Sequence, residues 1–159
     1  MCVYDRNPDI RDIWTSPQLL EKAGDGAFGE VFRGRLWGTE VAVKTVKGDI
    51  TAEALSDLKK EIAILSQLRH PNVVLYLGCC TKPPNVCIVT EWCAKGSVFD
   101  LIHTKNVIIN TKRMLQLALD AAQGMTYLHS QERRIIHRGM VVVVVVVGRW
   151  AGEGWVKTR

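Results

Sequence analysis

Apolar positions in the first half of the chain follow a strand-like pattern and then a helical one. Within residues 19–46, an apolar start, a glycine-rich turn at residues 24–29 and a W-G-T turn at residues 37–39 separate short β-branched runs. This pattern predicts an antiparallel meander of three strands. Within residues 51–69, leucines and isoleucines recur at steps of three and four, which predicts an amphipathic helix.

Two further strands and two further helices are predicted downstream. The β-branched runs at residues 73–79 and 86–91 are joined by K-P-P-N, which suits a hairpin with a longer loop. After a K-G-S break, residues 98–103 predict a short helix and residues 111–129 a long one. The predicted fold class is therefore α+β, with a five-stranded antiparallel sheet and one long helix followed by further helices.

The pattern changes abruptly after Arg138. Residues 141–147 are seven consecutive valines, and residues 148–155 combine glycine, tryptophan and charge without any periodicity. An unbroken run of one residue type beside such a segment is typical of low complexity. We expect residues 139–159 to lie outside the folded domain.

Composition and charge narrow the class of protein. The chain has 159 residues, of which 47% are hydrophobic and 23% charged, and these values are typical of one globular domain. The net charge of +5 is spread along the chain, which argues against a nucleic-acid-binding stripe. The longest apolar run, at residues 140–147, is far shorter than the roughly 20 residues that span a bilayer.

The cysteines favour a reducing compartment. Their number is odd, with no C-x-x-C spacing and no histidine at ligand spacing, so neither a disulfide framework nor a zinc site is predicted. No secretory signal is expected at the N-terminus, because charged residues interrupt it. The predicted location is cytoplasmic. The five cysteines are Cys2, Cys79, Cys80, Cys87 and Cys93.

The glycine-rich segment at residues 24–31 reads G-D-G-A-F-G-E-V, a G-x-G-x-x-G-x-V element. Such spacing by itself also opens dinucleotide-binding folds, where a helix follows the glycines. Here residues 31–35 alternate like a strand, which favours a hairpin loop that covers phosphates. Glycines allow backbone N–H groups to approach phosphate oxygens without a Cβ in the way.

A lysine and a glutamate carry the candidate chemistry. The V-A-V-K segment ends in Lys44, which matches the strand lysine that neutralises the α- and β-phosphates of a nucleotide. Glu61 lies three residues after Leu58 and four before Leu65, so it borders the buried stripe of the predicted helix. A Lys44–Glu61 ion pair would hold the ammonium over the phosphates.

Residues 19–138 resemble a protein kinase domain, and several segments resemble the tyrosine-kinase-like group of Ser/Thr kinases, Raf-like or mixed-lineage-like. The segments that carry this resemblance are W-G-T-E-V-A-V-K at residues 37–44, L-R-H-P-N-V-V at 68–74 and I-V-T-E-W-C at 88–93. The resemblance implies a kinase small lobe over residues 19–93, after an N-terminal lead at 1–18. It also implies the first helices of the large lobe over residues 94–138.

The resemblance also implies ligands and residue roles. ATP and Mg²⁺ are the expected cofactors, and a protein substrate or a partner kinase is the expected partner. Val31 and Ala42, with Ala23, are expected to pack on the adenine, Thr90 is the implied gatekeeper, and the hinge at residues 91–93 would bond the adenine edge. Lys44 and Glu61 are the implied catalytic pair. The implied nucleotide-binding residues are Ala23, Gly24, Gly26, Ala27, Phe28, Gly29, Val31, Ala42, Lys44, Thr90, Glu91 and Cys93.

The chain departs from the family pattern at the catalytic loop. Gly139 stands where the aspartate of H-R-D accepts the substrate hydroxyl proton. The metal-binding asparagine and the D-F-G segment do not follow it. We therefore expect a truncated domain that does not catalyse phosphoryl transfer itself. One hypothesis for the abrupt change is that residues after Arg138 are translated intron.

Three functional interpretations stay open from the sequence. The first is an ATP-dependent Ser/Thr kinase in signalling, represented by an inactive fragment. The second is a pseudokinase or scaffold that binds nucleotide or a partner kinase without catalysis. The third is a fragment that does not fold stably, because the apolar face of the helix at residues 111–129 is predicted to lack partners.

Overall fold

The structure is a computed structural model. It describes residues 17–26, 29–45, 51–83, 85–98, 101, 103 and 108–131. Two compact units contain these residues, one from the described parts of 1–68 and 75–92 and the other from those of 69–74 and 93–159. In chain order, the elements are β1 (Gln18–Gly26), β2 (Gly29–Leu36), β3 (Thr39–Thr45), α1 (Ala52–Leu65), β4 (Tyr76–Cys80), β5 (Cys87–Glu91) and α2 (Thr111–Ser130).

The first unit is built on one five-stranded sheet. The strand order is β1-β2-β3-β5-β4, and every neighbouring pair is antiparallel. The predicted fold class, with its five-stranded antiparallel sheet and long helix, is confirmed. Because β5 lies between β3 and β4, the C-terminal end of β5 lies beside β3, the strand that carries Lys44.

The first hairpin is longer than the sequence pattern predicts. The glycine segment was expected to be a turn, but β1 continues through it until Gly26 pairs with Gly29. Lys22 joins the two strands, because its Nζ donates to Asp25 Oδ2 at 2.8 Å and to Glu30 Oε1 at 2.5 Å. The described glycines of the expected phosphate loop therefore belong to the β1–β2 hairpin, whose register shifts between Leu19 and Glu21 and between Lys22 and Gly24.

The second hairpin turns through two residues with positive φ. Trp37 has a φ of 50° and Gly38 one of 82°, which is the combination that a type I′ turn requires. The glycine adopts this conformation without cost, whereas an L-residue with a Cβ does not. Trp37 is 78% exposed, so little packing offsets this cost.

Helix α1 begins and ends at identifiable caps. Thr51 Oγ1 accepts from Ala54 N at 3.2 Å, which satisfies one of the donors that a helix start leaves unpaired. The periodicity predicted a helix to residue 69, but α1 ends at Leu65, and the bond from Leu68 N to Leu65 O continues the chain as a tighter turn. The buried side chains of α1 are Leu58, Ile62 and Leu65.

In the second unit, the segment at residues 69–74 packs against α2. The rings of His70 and Tyr127 stack at 4.8 Å, and Tyr127 Oη accepts from Arg69 N at 2.9 Å. A Cβ at Gly124 would lie 3.0 Å from Asn72 O, so the backbone of this segment approaches α2 closely. A mid-helix glycine costs up to about 1 kcal/mol of helix stability, and this contact explains its presence.

The apolar stripe predicted for the 111–129 helix is exposed only in part. Its members Met114 and Leu115 are 44% and 66% exposed, whereas its member Leu128 is 0% exposed, so the expected lack of packing partners does not hold for the whole face. The buried side of α2 consists of Leu117, Asp120, Gly124 and Leu128. In the short helix predicted at residues 98–103, the described residues 98, 101 and 103 are helical, and Leu101 N donates to Ser97 O at 3.0 Å. Residues 99, 100 and 102 lie outside the described residues.

Candidate functional site

Strand pairing brings the candidate residues of β1, β2 and β3 into one row across the sheet. Gly24 pairs with Val31, Val31 pairs with Lys44, and Lys44 pairs with Ile88 of β5. Side chains of directly opposed residues stand on the same face of a sheet. The glycine-rich strand, the predicted adenine contact at Val31 and the lysine are therefore adjacent.

A second row places the other predicted contacts on the same face. Ala42 pairs with Thr90, and side chains two residues apart in a strand share a face. Ala42 is thus on the side of Lys44, and Thr90 on the side of Ile88. All of these side chains except Ile88 are partly exposed, so this face has accessible surface. We call Val31, Ala42, Lys44 and Thr90 the site face.

Helix α1 supplies the carboxylate that the lysine was predicted to meet. Lys44 Nζ lies 2.8 Å from Glu61 Oε1, and the two side chains are 34% and 21% exposed. Glu61 reaches the sheet because it lies on α1 beside the buried Leu58 and Ile62. The pair leaves the ammonium with further donors, since a lysine has three. Such a cation, oriented and partly exposed, can bind an anion.

Gly24 has no structural reason to be a glycine within the described residues. A Cβ built on it would meet only Val31 Cβ, at 4.0 Å, which is ordinary van der Waals contact. Its φ is not among the positive ones. A glycine that the fold itself does not demand is consistent with close approach by a ligand.

The end of β5 is fixed by the side chain and backbone of Glu91. Glu91 N donates to Leu75 O at 3.0 Å, and Glu91 Oε1 accepts from Leu75 N at 2.7 Å. Thr90 Oγ1 donates to Glu91 O at 3.3 Å. The carbonyl oxygen has a second lone pair, so Glu91 can still accept a hydrogen bond from a ligand.

Sequence reasoning missed a cluster of charged residues around Arg33. Arg33 pairs with Ala42 in the sheet, and its guanidinium bonds to Glu40 and, at 2.9 Å, to Glu21. Its Cζ lies 5.8 Å from the centroid of the Trp92 ring, within the range of a cation–π contact. The hydrogen bonds to Glu40, and then to Glu21, raise the pKa of Arg33.

The alternation of β2 contains the signal for this cluster. Arg33 is two residues from Val31, so strand periodicity alone places both side chains on one face. Opposite charges on neighbouring strands are favourable cross-strand pairs. The arginine thus joins β1, β2 and β3 to the residue that follows the end of β5.

The remaining predicted residues are not part of this arrangement. Ala27, Phe28 and Gly139 lie outside the described residues. Cys93 belongs to the second unit, where its carbonyl accepts from Gly96 N at 2.9 Å. Ala23 is exposed at the register shift between Lys22 and Gly24.

Among the described residues, no three histidine, cysteine, aspartate or glutamate side chains are grouped so as to hold a metal ion. No helix in this part of the chain is both long and apolar enough to cross a membrane.

Comparison with known proteins decides the family. A model of the family described as protein tyrosine and serine/threonine kinase matches residues 18–154 of this chain. The chain belongs to the protein kinase family. The predicted kinase resemblance is confirmed, and the sheet unit has the strand content of a kinase small lobe.

Several curated kinases are similar over most of this chain. The probable serine/threonine-protein kinase SIS8 of Arabidopsis thaliana is 47% identical over 133 residues, which are 83% of this chain and 13% of that protein. The probable serine/threonine-protein kinase drkD of Dictyostelium discoideum is 46% identical over 120 residues, 75% of this chain and 9% of that protein. The serine/threonine-protein kinase CTR1 of Arabidopsis thaliana is 41% identical over 136 residues, which are 83% of this chain and 17% of that protein. This kinase chain therefore spans less than a fifth of each of these relatives.

Proposed function

We propose that the sheet unit binds ATP on the site face, as the nucleotide-binding part of a Ser/Thr kinase. The observation that supports this most directly is the ion pair between Lys44 and Glu61 at 2.8 Å, because it orients a partly exposed ammonium beside the glycine-rich hairpin. Because the ion pair already orders the lysine side chain, binding a phosphate oxygen costs little further side-chain entropy.

Different residues of the sheet unit would contact the phosphates, the adenine ring and the adenine amino group. The hairpin tip at residues 24–29 would lie over the phosphates, which Lys44 neutralises. Val31 and Ala42 would contact the adenine ring, since both present small or branched apolar side chains on the site face. The carbonyl of Glu91 would accept from the adenine amino group.

Mg²⁺ is the expected companion of ATP in this family, but the described residues contain no group of side chains that could hold it. We therefore assign it no ligand here. The proposed contribution of this chain's own residues is to bind and orient the nucleotide.

Phosphoryl transfer to Ser/Thr hydroxyls is proposed for the whole protein from its similarity to SIS8, drkD and CTR1. For this chain itself we propose that no phosphoryl transfer occurs, because Gly139 has no side chain to accept the hydroxyl proton. The residue lies outside the described residues, so this part rests on the sequence alone. The cytoplasm is the proposed compartment.

Thermal unfolding with and without nucleotide tests the binding proposal. Binding to the folded state raises its apparent stability by RT ln(1 + [L]/Kd), so ATP should raise the Tm more than an equal concentration of inorganic triphosphate. Lys60→Met is the matched control, since Lys60 is 72% exposed on α1 and bonds only Asp57 in the described structure. It should respond to ATP as the native chain does. An unchanged Tm of the native chain at saturating ATP would overturn the proposal.

A second candidate function is a pseudokinase or scaffold that binds nucleotide or a partner kinase without catalysis, and Gly139 is the observation that favours it. Radiolabelled ATP with a generic basic protein acceptor separates the two. If the native chain transfers more label to the acceptor than the Lys44→Met variant does, the chain is catalytic and the scaffold function is excluded. ATP binding without incorporation would support it, and absence of any cooperative unfolding transition would instead support the fragment that does not fold.

A further inference from the structure

Two cysteines face each other across the hairpin of β4 and β5. Cys80 is the last residue of β4 and Cys87 the first of β5, and the sheet register pairs them directly. Both are present as thiols. We propose that Cys80 and Cys87 form an intramolecular disulfide when the protein meets a hydroperoxide, so that this pair is a redox-sensitive modification site.

The distances that an antiparallel register imposes suit this bond. Directly opposed residues have Cα atoms about 4.5 to 5.5 Å apart, and disulfides join Cα atoms about 4.4 to 6.8 Å apart. Their Cβ atoms lie about 4.5 to 5.5 Å apart, against about 3.5 to 4.5 Å in a disulfide. The two Cβ atoms therefore need to approach each other by about 1 Å, and a strained disulfide is easier to reduce.

Both side chains stand on the same side of the sheet. Cys87 is 4% exposed within the apolar cluster on the face opposite Lys44, and Cys80 packs against this cluster while remaining partly exposed. Cys79 instead pairs with Ile88, so it belongs to the other face. The accessible thiol of the pair is thus Cys80, and the thiol placed to meet it is Cys87.

The chemistry balances with one hydroperoxide for each disulfide. The thiolate of Cys80 attacks the terminal peroxide oxygen, the O–O bond breaks, and a sulfenic acid and one alcohol or water are formed. The thiolate of Cys87 then attacks the sulfenic sulfur, the S–S bond forms, and the S–O bond breaks to release water. Two thiols are oxidised and the peroxide is reduced.

The bond would reach the candidate nucleotide site through β5. Cys87 pairs with Thr45, and the next residue, Ile88, pairs with Lys44. Closing the gap between β4 and β5 pulls this end of β5 away from β3. We expect the oxidised chain to bind ATP more weakly, a consequence that rests on the proposed function.

Differential alkylation of the purified chain tests the bond without any nucleotide. The chain is treated with hydrogen peroxide and unfolded in denaturant, and its thiols are then blocked with N-ethylmaleimide. Disulfide cysteines are reduced and labelled with iodoacetamide before peptide mass spectrometry. The second label should appear on Cys80 and Cys87 together, in a protein that stays monomeric on a non-reducing gel. Cys80→Ala and Cys87→Ala should abolish it, and Cys79→Ala should retain it.

Each outcome decides the proposal. A second label confined to Cys79 with Cys80, or found only in cross-linked dimers, would overturn it, as would alkylation of both thiols by the first reagent. If Cys87→Ala lowers the Tm, loss of the second label can still be tested with Cys80→Ala, because Cys80 is partly exposed. ATP titration of reduced and oxidised protein forms a separate arm. Failure of the reduced chain to bind ATP would count against the proposed function, whereas the labelling result would stand.

Discussion

The two faces of the sheet differ in a way that separates folding from function. On β3, Val41 and Val43 are 0% and 1% exposed, whereas Ala42 and Lys44, between and beyond them, are partly exposed. One strand thus supplies the centre of an apolar cluster with one set of residues and the site face with the other. On β3, burial of one side offsets the entropy cost of ordering the strand, and the other side remains available for chemistry.

The largest expected effect breaks the buried face. Val43→Asp would place an uncompensated charge among apolar side chains, and we expect it to lower the free energy of unfolding by about 4 kcal/mol or more. Chemical denaturation followed by circular dichroism measures this. Thr39→Asp, at the exposed end of the same strand, is the control and should change stability by less than about 0.5 kcal/mol. Equal losses in both variants would contradict the burial of Val43.

The next effect breaks the site face and spares the fold. Lys44→Met keeps most of the aliphatic stem but removes the ammonium, so ATP affinity should fall at least about tenfold, or about 1.4 kcal/mol. Stability should change by less than about 1 kcal/mol, because the ion pair with Glu61 is partly solvated. Calorimetric titration with ATP, alongside Lys60→Met, measures the difference. Undiminished affinity would remove Lys44 from the site.

A smaller effect is expected at Gly24. Gly24→Ala adds a methyl group that meets only Val31 Cβ in the fold, so the Tm should not change. ATP affinity should fall by about threefold to tenfold, because the new Cβ restricts the approach of phosphates to the backbone. Fluorescence titration with a labelled nucleotide measures this. A variant that unfolds, or that binds ATP as the native chain does, would refute this role for Gly24.

Relief of turn strain should stabilise the protein without touching the site face. Trp37→Asn replaces an exposed side chain at a φ of 50° by one that tolerates this region. We expect the free energy of unfolding to rise by about 1 kcal/mol, with ATP affinity unchanged. Denaturant titration measures the gain. A loss of stability would indicate that the indole ring makes a stabilising contact.

The smallest effect concerns pH. The hydrogen bond to Asp25, and then that to Glu30, raises the pKa of Lys22, so its contribution to stability is complete below the unfolded pKa of about 10.4 and is lost as the pH rises through the higher folded value. The denaturation midpoints of the native chain and Lys22→Met should differ slightly near pH 8 and converge as the pH rises through the folded pKa of Lys22. A difference that grows with pH would have the wrong sign.

Local patterns predicted the elements better than their ends. The periodicity of residues 51–69 located α1 but extended it too far, since Leu68 continues the apolar pattern and is buried without being helical. The strand predicted from Val73 begins at Tyr76, because Val73 bonds to His70 O in a turn. Both differences arise where residues 69–74 leave the sheet unit to pack on α2, and neither hydropathy nor spacing records that contact.

Residue spacing alone indicates which residues share a face. Strand alternation puts Ala42 on the side of Lys44, and helical spacing puts Glu61 beside Leu58, because both periods are set by the local backbone. Only the folded protein shows that β5 lies between β3 and β4, that Arg33 meets Trp92, and that Cys80 opposes Cys87. These facts depend on pairing between distant segments, whose register is chosen by the packing of the whole sheet.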